Sequence, residues 1–205
     1  MTDSQTPQAI DAFAVFTRTG RAPDCFELHE EGVVAQEGGA RCYTAFADIH
    51  DLCLYASRPD AAAAPADSLA FRSAPQGAWT TADGVDDFPA FMDAFRAQYV
   101  AQRLPVLEAL QAQGARVAFR YIAGGAFPDL KTRELSLSAQ GLHIDGATWP
   151  YESLQPIDLD DWTDTVTLQD DNGETVFTCR VANILSSDLF VNLVYDRLGQ
   201  TAQYA

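Results

Sequence analysis

Lysine is almost missing from this chain: Lys131 is the only one, and with twelve arginines it makes 13 basic side chains against 29 acidic ones. The formal net charge of −16 sets up a field that repels phosphate backbones and anionic lipid surfaces, which are recognised through clustered lysine and arginine. Nucleic acid is therefore not expected among the partners. The acidity is spread over both halves of the chain and reads as a solubility-favouring surface, with a basic partner or a Ca²⁺-like cation as the functional alternative. Long apolar runs are missing as well. None approaches the roughly 20 residues of a membrane-spanning helix, so no membrane insertion is expected. Cysteine is sparse and unpatterned. Cys25, Cys42, Cys53 and Cys179 form no C-x-x-C pair, and no nearby histidine completes a zinc set. Free thiols are expected. The start, Met1-Thr2-Asp3-Ser4, lacks the basic and apolar regions of a secretory leader, and the expected location is the cytoplasm.

Catalytic patterns are equally scarce. There is no G-x-S-x-G, and Gly124-Gly125 lacks the G-K-[ST] that would complete a phosphate-cradling loop. His29, His50 and His143 read as ordinary strand histidines. The EF-hand pattern fails, because counting back from Gly173 puts Leu168 at the first ligand position. Asp158, Asp160, Asp161 and Asp164 cluster, followed by Asp170-Asp171-Asn172-Gly173-Glu174, but turn and loop acids account for both runs. No cofactor and no metal is expected, and no enzyme activity.

What is present is β-pattern. Ala12 to Phe16 is apolar, and Cys25 to His29 alternates. Val33-Val34-Ala35, Cys42 to Phe46, Ile49 to Tyr55, Ser68 to Arg72 and Gly77 to Thr80 continue the series. The period then changes. Asp86-Asp87 offer an N-cap, Pro89 suits a first turn, and Phe88, Phe91, Phe95 and Tyr99 recur at helical spacing until Gly114 stops the helix. Pro105 inside this run predicts a kink or break near Arg103. Strands resume at Arg116 to Ala123, Glu134 to Ser138, Gly141 to Asp145, Trp149 to Tyr151 and Leu154 to Leu159. Asp164 to Gln169 and Glu174 to Arg180 flank Asp171-Asn172-Gly173, a strong hairpin signal. Ser186 to Leu198 is helical, with Ser186 as the expected cap.

The two stretches look like copies of one plan. Leu28-x-x-x-Gly32-Val33 matches Leu137-x-x-x-Gly141-Leu142, and Phe46-x-x-Ile49 matches Tyr151-x-x-Leu154. About seven short strands closed by one amphipathic helix is the pleckstrin-homology plan, in which the helix plugs the open corner between two bent sheets. The fold class expected is α+β, mainly β, as two tandem PH-like modules. The expected boundaries are a flexible stretch over 1–10, a first module over 11–114 ending in the long helix, and a second over 115–205.

The second half also resembles a family of uncharacterised bacterial proteins with tandem PH-like modules. Leu135-Ser136-Leu137-Ser138-x-x-Gly141-Leu142, Trp149-Pro150-Tyr151-Glu152-x-Leu154 and Ala182-Asn183-Ile184 carry the resemblance. It implies a fold and no activity. Phosphoinositide, the ligand readers attach to such modules, is not expected here. The corresponding loops, Glu37 to Arg41 and Ile144 to Thr148, hold one arginine, and Lys131-Thr132-Arg133 is the only close basic pair.

The function expected is that of a non-catalytic interaction or scaffolding protein, binding an unknown protein or peptide, possibly itself. It predicts an exposed, weakly charged strand edge or an apolar patch. The candidate partner surface is Trp162 among Asp160, Asp161 and Asp164. Two other readings remain: a cation-dependent enzyme using that acidic cluster, and an obligate structural dimer.

Overall fold

The computed structural model of the chain describes residues 12–56, 66–157 and 164–202. The protein is α+β and mainly β, and one order of elements runs through it twice. Four antiparallel strands, β1 (Ala14–Thr17), β2 (Cys25–Leu28), β3 (Gly32–Glu37) and β4 (Ala40–Ala45), form a meander. A 3-10 turn at Phe46–Asp48 leads into a three-stranded meander of β5 (Asp51–Tyr55), β6 (Ser68–Arg72) and β7 (Thr80–Ala82). Helix α1 (Phe88–Ala112) follows. The second round comprises β8 (Val117–Gly124), β9 (Lys131–Leu137), β10 (Leu142–Ile144) and β11 (Ala147–Trp149), then a 3-10 turn at Tyr151–Ser153. The strands β12 (Gln155–Ile157), β13 (Thr165–Gln169) and β14 (Thr175–Arg180) come next, then the two-residue β15 (Ile184–Leu185) and helix α2 (Ser187–Ala202).

The residues that carry the sequence repeat hold equivalent places. Leu28 pairs with Val33 across β2 and β3, and Leu137 pairs with Leu142 across β9 and β10. Phe46 and Tyr151 open the two 3-10 turns, and the N–H groups of Ile49 and Leu154 close them on the Phe46 and Tyr151 carbonyls. All four side chains are buried. Gly32 and Gly141 recur because neither has room for a Cβ: the Thr44 carbonyl and the Tyr43 ring lie over Gly32, and the Trp149 carbonyl lies over Gly141.

Two equivalences escaped sequence reading. Asp87 and Ser186 precede the two helices in left-handed backbone, at φ 51° and 57°. Each offers its carbonyl to the N–H of a buried phenylalanine, Phe91 at 3.1 Å and Phe190 at 3.2 Å. Those rings then meet Phe16 and Phe119 edge-on, with centroids 5.3 and 5.5 Å apart. Neither cap residue acts as expected. Asp87 makes no side-chain cap bond, and Asp86 takes the Thr17 and Thr19 hydroxyls instead. Pro105 does not interrupt α1, which runs as one element between the buried Tyr99 and Leu107. Gly114, at φ 80°, terminates it as the sequence suggests: its N–H bonds the Gln111 carbonyl, and the Ala115 N–H bonds that of Leu110.

One hydrophobic cluster runs from Phe26 to Leu198 through both halves, and polar contacts join them. The Ser186 hydroxyl accepts from the Leu52 N–H at 3.0 Å and from the Tyr99 hydroxyl at 2.8 Å, while the Ser186 N–H donates to the Leu52 carbonyl at 2.8 Å. Asp51, 2% exposed, accepts from Arg72 Nε at 2.7 Å, sits 3.0 Å from His50 Nδ1, and lies 3.8 Å from the Arg120 guanidinium of the other half. Arg96 on α1 grips Asp188 on α2 through two nitrogens, at 2.7 and 2.5 Å. Phe127 stacks on Tyr55, centroids 4.1 Å apart, and meets Trp79 edge-on. No helix among the described residues is long and apolar enough to cross a membrane.

Candidate functional site

In an antiparallel sheet alternate residues leave the core face, and cross-strand partners on the outer face form rows about 4.8 Å apart per strand. In the first sheet, Ala14 and Phe16 of β1 pack on the core, so Val15 points out. Its row runs Val15–Glu27–Val34–Tyr43 across β1 to β4. Val15 is 57% exposed, Tyr43 55%, and Phe13, two residues before Val15, 53%. Three large apolar or aromatic groups thus stand on the solvent side of one four-stranded sheet, Phe13 and Val15 at its β1 edge and Tyr43 at its β4 edge. At its centre Arg41 holds Glu27 at 2.5 Å, and His29 Nε2 lies 3.6 Å from the same carboxylate. Tyr43 closes one end over Gly32. Burial raises its phenol pKa first, and the carboxylates of Glu31 and Asp48 raise it further.

The second sheet presents the same face with different chemistry. The equivalent row is Ala118–Ser136–His143–Thr148, and Arg116 stands where the first copy has Phe13. The His143 ring is pinned between two hydroxyls, with Ser138 Oγ 2.8 Å from Nε2 and Thr148 Oγ1 2.8 Å from Nδ1. Its pKa is lowered by burial and then by the Arg116 guanidinium, and the neutral ring suits a position between two hydroxyls. Replacing Arg116 by glutamine is expected to bring the His143 pKa back toward 6.5. An NMR titration of the ring protons measures this, and an unchanged midpoint would show that the guanidinium does not act on the ring. A groove of about 460 Å³ lies over this face, lined by Arg116, Arg133, Glu134, Ser136, His143, Asp145, Gly146 and Thr148.

Of the partner surface expected from sequence, Asp160, Asp161 and Trp162 lie outside the described residues. Asp164 is described; its carboxylate is exposed and 3.8 Å from Arg180, so it forms a surface ion pair. Asp158 also lies outside the described residues, and among those described no three histidine, cysteine or carboxylate side chains converge to hold a metal ion. Asp170 is spent on its own turn: it accepts the N–H groups of Asn172 and Glu174, each at 2.9 Å, and these bonds hold its carboxyl below the usual range. His50 belongs to the Asp51 cluster between the halves. Cys25 and Cys53 are buried, with the Cys53 thiol pushed up to about 12 by burial and by Asp51. Phe13, Val15 and Tyr43 were missed. The signal for Phe13 and Val15 was present, because Ala12 to Phe16 is apolar on both strand faces, where a half-solvated strand alternates. No protein-family model matches the sequence, and no curated protein is similar to it.

Proposed function

We propose that the protein is a non-catalytic interaction module of two PH-like units, and that the outer face of its first sheet docks a protein partner. The observation that carries the reading is the exposed group of Phe13, Val15 and Tyr43 on one sheet face. The twice-run order of four strands, three strands and a helix supports the PH-like description. The duplication serves as an internal control: the same positions on the second sheet carry Arg116, Ala118 and Thr148, so the fold does not require large apolar or aromatic groups there. The acids around Tyr43 and the net charge of −16 favour a partner with an apolar centre and a basic rim, which would associate faster at low salt.

The test pairs affinity capture with a double variant, Val15→Ser with Tyr43→Ser. Truncating an aromatic anchor costs about 2 kcal/mol or more of binding, a roughly thirtyfold loss. Retention of the partner should fall by that factor, while Ala118→Ser with Thr148→Ala leaves it unchanged. A partner held equally by both variants would refute the docking face. A dimer seen in light scattering and lost in the first variant would instead identify the face as a contact between two copies.

A further inference from the structure

We propose that the groove over the second sheet is a separate small-molecule site, one that takes the carboxylate end of an organic molecule whose other end is a cation or a hydrogen-bond donor. Charge pairing is the first observation. Among the described basic side chains, Arg18, Arg21, Arg41, Arg72, Arg96, Arg120, Arg133 and Arg180 each meet a carboxylate. Arg103 and Arg197 bond a carbonyl oxygen. Arg116 and Lys131 have no such partner among the described residues, although the protein carries 29 acidic residues, and of the two only Arg116 lines the groove. The guanidinium is a fork of donors built for a carboxylate.

The second observation is the floor. Ser136 is one of the groove's lining residues, and its side chain makes no hydrogen bond among the described residues, so its hydroxyl is available to water or a ligand. Its neighbours across the sheet are committed, since His143 is held by Ser138 and Thr148. A hydroxyl with no partner in the same groove as an unmatched guanidinium supplies a second donor for a bound carboxylate.

The third is the other end. Arg116 precedes Val117, the partner of Leu137, whereas Glu134 is the partner of Arg120. Four residues of strand therefore separate the Arg116 row from Glu134, about 13 Å. Glu134 has no basic partner among the described residues, and Arg133 is already engaged with Asp145 at 3.4 Å. One cation is free at one end and one carboxylate at the other. That balance disfavours a dianion such as a phosphate ester and suits a molecule that is negative at one end only. The groove's volume falls in the range of small-ligand sites.

The test is NMR titration of the whole chain, following the His143 ring and the amides of Ala118 and Ser136. The probes are 6-aminohexanoate, adipate and inorganic phosphate. Saturable shifts with 6-aminohexanoate are expected, with adipate and phosphate weaker. Arg116→Gln should weaken 6-aminohexanoate by about tenfold or more, and Glu134→Gln should remove the preference over adipate. Lys131→Gln, which changes a basic side chain outside the groove, should leave all three unaltered. Absence of saturable shifts, equal shifts in Arg116→Gln, or phosphate binding tighter than 6-aminohexanoate would each overturn the proposal. The result does not depend on the first sheet, so the docking face and this groove can fail separately.

Discussion

Asp51→Asn is expected to cost about 3–5 kcal/mol, the loss that follows when one member of a buried charge group is removed and its partners stay behind. Among the described residues Asp51 is the one carboxylate that pairs with both Arg72 and Arg120, and these come from different halves. Asparagine keeps the shape but cannot answer two guanidinium charges. Arg72 would retain its stacking over Trp79, 4.2 Å from the ring centroid, and Arg120 its bond to the Pro75 carbonyl at 3.2 Å. Neither contact neutralises the charge. Urea unfolding of the variant against the parent measures the loss, and a midpoint within error of the parent would show that the cluster is hydrated in solution. The pH dependence has a definite sign. Burial pushes the Asp51 carboxyl up, but the His50 hydrogen bond, Arg120 and Arg72 outweigh it, so the carboxyl sits below its ordinary 3.8. Its contribution is present above that unfolded value and is lost as pH falls through the lower folded one. At neutral pH the full effect of the substitution should be seen, and it should shrink in acid.

Phe91→Ala and Phe190→Ala should each cost about 3–5 kcal/mol, the usual range for emptying a buried aromatic site. Both side chains are fully buried. Phe91 meets Phe16, Phe26, Phe88 and Phe95, whereas Phe190 meets Phe119 and Phe177. The cavity left by Phe91 is walled by more rings, which relax less, so its loss should be the larger of the two. Because the hydrophobic cluster is continuous, each variant should unfold in a single transition. A two-step curve, in which only the half bearing the substitution melts early, would show that the halves unfold separately.

Much of the fold could be read from alternation. The strand from Ser68 to Arg72 has the bounds its pattern suggests, and Asp171-Asn172-Gly173 turns between β13 and β14. Gly32, Gly141, Phe46 and Tyr151 were legible because steric crowding and core burial leave few alternatives at those places. The caps were not. Ser186 looks like a helix cap in isolation, yet Leu52 and Tyr99, distant in sequence, claim its hydroxyl. The candidate site was missed for a related reason. Trp162 and its aspartates stand out by composition, whereas Val15, Val34 and Tyr43 become one row only through strand register, which no single segment encodes.

Ser186 also imposes an order on biosynthesis. Leu52 and Ser186 are 134 positions apart. A ribosome adding about 5–20 residues per second needs roughly 7–27 s to cover that interval. During it the Leu52 amide, joined over the last 87 positions by the Tyr99 hydroxyl, is present without the oxygen it binds in the finished protein. The emerging first half must therefore keep that seam wet or covered, and it reaches its final packing only when the last helix is made.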